Sequence, residues 1–199
     1  PIANANEKYL KNSSPYWNDV LKHATYDEWW QSRAQSPHMK NVTPAVLLVG
    51  GWFDAEDLAG PLKLFRAIEA DGPKASNTLV MGPWSHGGWS RGPGKTLGDL
   101  DFASNTGEYF REKIELQFFV HNLKGKGSGL QAAPDNKVPK AWLFETGRNE
   151  WRRFESWPPK DASVKSMYLG AGGKLRFAAA GESGYDEYVS DPARPVPVL

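Results

Sequence analysis

Two continuous apolar runs stand out along the chain, Ala-Val-Leu-Leu-Val at 45–49 and Thr-Leu-Val-Met at 78–81. Neither alternates with polar residues, and both are short, which predicts strands covered on both faces. Between them, residues 61–71 repeat Leu62, Phe65 and Ile68 at helical spacing. Gly60-Pro61 puts proline in the first turn, and Gly72 supplies the stop. The unit is strand, helix, strand, as in an open parallel sheet.

Upstream, Ser14-Pro15 makes a helix start, followed by Trp17, Val20, Leu21 and Ala24 at helical spacing. Thr25 and Glu28 have capping-box spacing for a second helix, in which Tyr26, Trp29 and Trp30 share a face. Two short aromatic helices ahead of a sheet predict the end of a lid or cap inserted into an α/β domain. Downstream, residues 104–123 predict the longest helix. Tyr109, Leu116, Phe119, Val120 and Leu123 lie on one side, with Phe110, Ile114 and Phe118 beside them. So wide an apolar face implies packing on the sheet.

Residues 125–136 are rich in glycine, lysine and small side chains, as at a domain boundary. Beyond them, 140–144, 150–155, 163–169 and 174–177 are short strand-like runs separated by Thr-Gly, Pro-Pro and Gly-Gly. That spacing predicts an antiparallel sandwich or jelly roll. The fold class expected is therefore α/β followed by an all-β domain.

The 199 residues suffice for a substantial core. Lys plus Arg is 24 against 23 for Asp plus Glu, so charge gives no case for nucleic acid or an anionic membrane. No run approaches 18 apolar residues. The absence of cysteine excludes disulfides and thiolate metal sites, and no His/Asp/Glu set has metal-ligand spacing. No cofactor is expected. The chain begins at Pro1 and stops soon after a strand-like pattern, which reads as a piece of a longer protein.

Each strand of the parallel pair runs into a polar string. The first is Gly50-Gly51-Trp52-Phe53-Asp54-Ala55-Glu56-Asp57; the second is Gly82-Pro83-Trp84-Ser85-His86-Gly87-Gly88. In an open parallel sheet both lie past the carboxyl ends of neighbouring strands, where catalytic groups collect. Histidine is a general base near neutral pH, and a carboxylate bonded to it holds its tautomer and charge. His86 and Asp54 thus form the orienting half of a nucleophilic triad. A cap at the strand-to-helix turn is the plain alternative for Asp54.

Gly88-Trp89-Ser90-Arg91-Gly92 fits the G-x-S-x-G pattern, but Ser90 has no strand before it and Gly-Pro-Gly after it. In the order serine, acid, histidine, the nucleophile belongs upstream of Pro1. The loop 87–98 is long and glycine-rich, and should be mobile unless something packs over it. His23 and His121 lie near helix ends and His38 in a connector, all read as structural or solvated. Trp52 and Trp84 either line an acyl pocket or pack in the core.

Gly-Trp-Phe-Asp followed by Gly-Pro-Trp-Ser-His resembles the acid and histidine motifs of the CocE/NonD-type (S15-like) serine hydrolases. These group cocaine esterase, X-Pro dipeptidyl peptidases, glutaryl-cephalosporin acylases and α-amino acid ester hydrolases. The resemblance spans nearly the whole chain and implies three parts: the end of a helical cap at 1–40, the C-terminal part of an α/β-hydrolase domain at 41–130, and the start of a jelly roll at 138–199, opened by 142–158. By it Asp54 is the triad acid and His86 the base, while the serine and oxyanion donors have no counterpart here. Asp-x-Glu-Asp looks like the α-amino acid ester hydrolase version of the acid loop, in which Glu56 and Asp57 help hold a substrate ammonium. A capping role for Asp57 and a solvated Glu56 are the alternative.

The resemblance implies an acyl-enzyme hydrolase of esters or amides, with α-amino acyl substrates and β-lactam antibiotics among them. Glutaryl acylase, general esterase and X-Pro peptidase are alternatives, as is a non-catalytic sandwich gripping a ligand through Trp142 or Trp151. The partners implied are a small-molecule substrate and the N-terminal remainder of the same protein. A second copy of the chain is left open, and neither nucleic acid nor membrane is expected. Periplasmic or secreted localisation is an expectation from the family.

Overall fold

The computed structural model describes residues 4–71, 76–124, 138–179, 181 and 184–196. Gly72 and the glycine-lysine stretch 125–136 lie outside these residues. The elements in order are α1 (Ala5–Lys8), α2 (Pro15–Lys22), α3 (Glu28–Gln31), β1 (Val46–Gly51), α4 (Ala59–Asp71) and β2 (Asn77–Gly82). They continue with β3 (Thr96–Leu97), β4 (Leu100–Asp101), α5 (Thr106–Tyr109), α6 (Leu116–Lys124), β5 (Ala141–Glu145), β6 (Glu150–Phe154), β7 (Tyr168–Gly170) and β8 (Lys174–Arg176). Between α5 and α6, Phe110–Glu115 forms a π-helical turn.

The main sheet has the order β1-β2-β5-β6. β1, β2 and β5 run parallel, and β6 returns antiparallel to β5. Side chains alternate across it. Leu79, Met81, Ala141 and Leu143 face α4 and bury Phe65 against Leu48, Leu62, Trp52, Phe154 and Trp157. Val80 and Trp142 face the long helix and pack with Trp84, Phe110 and Ile114. Cover on both faces explains why the two founding strands read as unbroken apolar runs.

β5 and β6 correct the expected boundary. The short-strand punctuation of residues 138–199 predicts a separate sandwich, but Leu79, Val80 and Met81 of β2 pair in register with Ala141, Trp142 and Leu143. Parallel pairing on one side of β5 and a hairpin on the other give it the signature of neither class alone. Trp142 is 3% exposed in the sheet core, which leaves it no surface for a sugar or peptide. Of the remaining strand-like runs, 168–170 and 174–176 form a two-stranded hairpin, and 163–167 is not strand. No sandwich is present among the described residues.

Two helices also differ from the periodicity reading. Asp27, not Thr25, caps α3: its carboxylate accepts the Trp29 N–H at 3.1 Å while His23 holds its other oxygen at 2.6 Å. Ser14 caps α2 through the Trp17 N–H, as its sequence predicts. In the long helix, Phe110, Ile114 and Phe118 are buried, whereas Leu116, Phe119 and Leu123 are exposed. The apolar stripe on the sheet is thus narrower than the sequence suggests.

Candidate active site

β1 and β2 end side by side, and the two polar strings leave them in step. The Trp52 N–H donates to the Gly82 carbonyl at 2.9 Å, and the Phe53 N–H to the Trp84 carbonyl at 3.1 Å. This approach needs glycine at 51, since a Cβ there would sit on the Trp84 carbonyl oxygen. Likewise a Cβ at Gly82 would collide with the Trp84 ring. Trp84 itself is buried, and its indole N–H donates to the Thr106 hydroxyl at 2.9 Å. It is a core residue that also borders a small cavity beneath the loop 87–98.

Beyond these strand ends, Asp54 Oδ2 and His86 Nδ1 stand 3.0 Å apart. The Asp54 side chain is 2% exposed and the His86 side chain 52%. Asp54 Oδ1 accepts the Glu56 N–H at 2.8 Å and the Asp57 N–H at 2.9 Å. The carboxylate therefore caps its own turn and contacts the histidine at once. The Asp57 N–H bond, with those from Glu56 and His86, holds the Asp54 carboxyl below its usual range, against the opposing effect of burial. An ionised carboxylate only accepts, so Nδ1 of His86 is the donor, and in the neutral imidazole the lone pair falls to Nε2.

The two neighbouring acids separate. Glu56 Oε2 lies 3.9 Å from His86 Nε2, with its side chain 75% exposed. Asp57 Oδ1 accepts the Gly60 N–H at 3.0 Å, capping the entry to α4. Ser90 ends a 3-10 turn (Gly88–Ser90), and its hydroxyl donates to the Gly87 carbonyl at 2.9 Å. No strand leads into it. Trp52 donates its indole N–H to the Phe144 carbonyl at 2.9 Å, across 92 residues. With Leu143, Phe154, Trp157, Arg152 and Asp161 it lines a cavity of about 700 Å³, of which Asp54 and His86 are not part.

A model of the X-Pro dipeptidyl-peptidase (S15) family matches residues 2–88, a span that ends just past His86. Cocaine esterase of Rhodococcus sp. (strain MB1 Bresler) is 31% identical over 193 residues, 92% of this chain and 31% of that protein. The chain belongs to the S15 family. Two solved structures resemble the chain over nearly its whole length. An α-amino acid ester hydrolase superposes with a TM-score of 0.80 at 34% identity, covering 98% of this chain and 32% of that one. An aminopeptidase from a marine sediment Thaumarchaeota archaeon superposes with a TM-score of 0.78 at 35% identity, covering 97% and 30%. This S15 chain thus spans about a third of the length of the relatives it matches.

The histidine loop carries supports that the sequence does not announce. Arg111 donates to the Trp89 and Gly92 carbonyls, and the Thr106 hydroxyl to that of Gly94. The loop 87–98 is therefore fastened to the long helix rather than loose. Only Trp84, through its need for a buried partner, carries a local hint of Thr106; nothing near Arg111 in the sequence marks it. The remaining histidines are placed apart from Asp54: His23 ends α2, His38 lies in the 3-10 segment Ser36–Asn41, and His121 lies in the last turn of α6. Among the described residues no group of three His, Cys, Asp or Glu is placed to hold a metal ion, and no helix is long and apolar enough to cross a membrane.

Proposed function

We propose that this chain supplies the acid and base of a serine hydrolase that cleaves esters or amides through an acyl-enzyme. The observation that carries the reading is the 3.0 Å contact between buried Asp54 and half-exposed His86, which leaves Nε2 open toward an incoming hydroxyl. The serine would come from an upstream part of the same protein. His86 Nε2 takes the serine proton as Oγ attacks the carbonyl, then passes that proton to the leaving alcohol or amine as the carbonyl reforms. A water enters, His86 removes its proton, and the acyl group leaves as the acid. Asp54 stays ionised throughout and stabilises the imidazolium.

Acyl groups bearing a free α-amine are the preferred substrates, β-lactam antibiotics with amino-acid side chains among them. Glu56 supports this, because an exposed carboxylate 3.9 Å from the reacting nitrogen is placed to meet a substrate ammonium. Asp57 has one oxygen engaged by Gly60, so its part would fall to the other. Residues 1–40 would belong to a cap over this site and the chain beyond 158 to a further domain. By the family resemblance alone, the enzyme would be periplasmic or secreted.

Fluorophosphonate labelling of the full-length protein tests the reading, since the reagent traps only an activated serine. Labelling that disappears in His86→Ala and slows by about four orders of magnitude in Asp54→Asn is expected. Wild-type labelling in both variants would remove the pair from catalysis. A labelled peptide containing Ser90 would overturn the upstream serine.

A further inference from the structure

The loop after His86 runs over the first turns of the long helix and gives up its carbonyls to that helix. Those of Trp89 and Gly92 accept from Nη1 and Nη2 of Arg111, each at 2.9 Å. The Pro93 carbonyl accepts the Gly107 N–H at 2.9 Å, and the Gly94 carbonyl the Thr106 hydroxyl. A Cβ at Gly107 would lie 3.2 Å from Arg111 Nη1 and 3.3 Å from the Gly92 and Pro93 oxygens. The bare glycine lets guanidinium and loop close on the helix together.

The π turn explains how one side chain reaches two carbonyls. Phe110 and Ile114 pack on the sheet and Phe118 is buried beyond them, at a four-residue spacing that overshoots a full α-helical turn by about 40° at each step. The wider turn, closed by the Leu116 N–H on the Arg111 carbonyl, takes back that overshoot. Three aromatic and aliphatic side chains therefore stay in the core, and Arg111 between the first two is directed at the loop. Turns of this kind recur at functional sites.

We propose that Arg111 is a positioning residue for His86, acting through Trp89. Asp54 fixes Nδ1 of a ring that is otherwise half-exposed. The Trp89 indole packs edgewise against that ring, 6.3 Å between centres at 66°, and Arg111 fixes the Trp89 main chain. Trp89 also leans on Trp84 at 6.2 Å, so the imidazole is braced against the sheet core. Arg111 touches no reacting atom. Its loss displaces Nε2 from the line of proton transfer, which costs turnover rather than substrate binding.

The inference rests on the triad reading of Asp54 and His86, and the test keeps the two apart. In the full-length protein, Arg111→Met keeps an unbranched stem and deletes both donors. Expected are a kcat lower by about 10- to 100-fold with KM within about twofold, and an equal slowing of fluorophosphonate labelling. Arg111→Lys keeps the charge without the fork and should recover only part of kcat. Should the Met variant fail to fold, the Lys variant carries the test alone. Wild-type kcat in either variant, or a loss that only tracks the folded fraction by circular dichroism, overturns the proposal. If His86→Ala abolishes labelling while Arg111→Met labels at the wild-type rate, this inference alone falls. If His86→Ala keeps activity, the triad reading falls and this one with it.

Discussion

Glu56 Oε2 approaches His86 Nε2 to 3.9 Å while Asp54 Oδ2 holds the opposite nitrogen at 3.0 Å, so the imidazole has a carboxylate at each end. Their side-chain exposures, 75% and 2%, divide the labour. Asp54 is engaged on both oxygens, and Glu56 is free to take a cation. In the full-length protein, Glu56→Gln should lower the preference for an α-amino ester over its desamino analogue by about tenfold in kcat/KM, with the desamino rate nearly unchanged. An unchanged ratio removes Glu56 from amine recognition.

Asp54 makes acid stability a readout of the site. Its folded-state pKa is depressed, first by the Asp57 N–H, so folding favours the carboxylate. The stabilisation is complete above the ordinary aspartate value of about 4 and is lost as pH falls through the lower folded value. Urea midpoints measured from pH 7 to pH 2.5 should therefore drop less steeply in Asp54→Asn than in the parent. Parallel curves would mean that the carboxylate is not coupled to folding.

Gly51→Ala puts a methyl group where the Trp84 carbonyl oxygen lies, on main chain that cannot rotate away. The β1 and β2 ends must part, and they carry Asp54 and His86. A loss of about 1–3 kcal/mol or more is expected by urea unfolding, together with a fall in kcat in the protein that remains folded. Wild-type kcat in the folded fraction would show that the dyad tolerates the separation.

Phe65 is 1% exposed between α4 and the sheet, packed with Leu79, Met81, Ala141 and Leu143. Phe65→Ala should cost about 3–5 kcal/mol. A loss below 1 kcal/mol in denaturant melts would show that the α4 face can collapse onto the cavity.

The parallel pair and its site strings are legible in the sequence because each signal is local. An unbroken apolar run marks a strand with two covered faces, and Gly-Trp-Phe-Asp or Trp-Ser-His marks the polar group at its carboxyl end. The pairing of Val80 with Trp142 is not local: β5 looks like any short strand before a turn, and only the partner it meets 62 residues away puts it in the parallel sheet. Similarly, the stripe Leu116, Phe119, Leu123 has faultless α-helical spacing, yet it lies on the side of the helix opposite Phe110 and Ile114, which take the sheet. Arg111 reads as a surface charge until the loop 19 and 22 residues before it is folded against it. The separation of Glu56 from Asp57 comes from one hydrogen bond to Gly60, a choice between two equivalent acids.

The hold on Asp54 Oδ1 comes from the main-chain N–H groups of residues 56 and 57, which every amino acid but proline possesses. The side chain at 56 can therefore vary without removing a bond to Asp54, whereas that at 57 also caps α4. A lineage could trade Glu56 for a neutral or basic residue and reach new acyl groups in a single step, the reacting pair remaining in register. For a designer working from the proposed amine site, position 56 is where selectivity would be rewritten, since the side chain at 57 also caps α4.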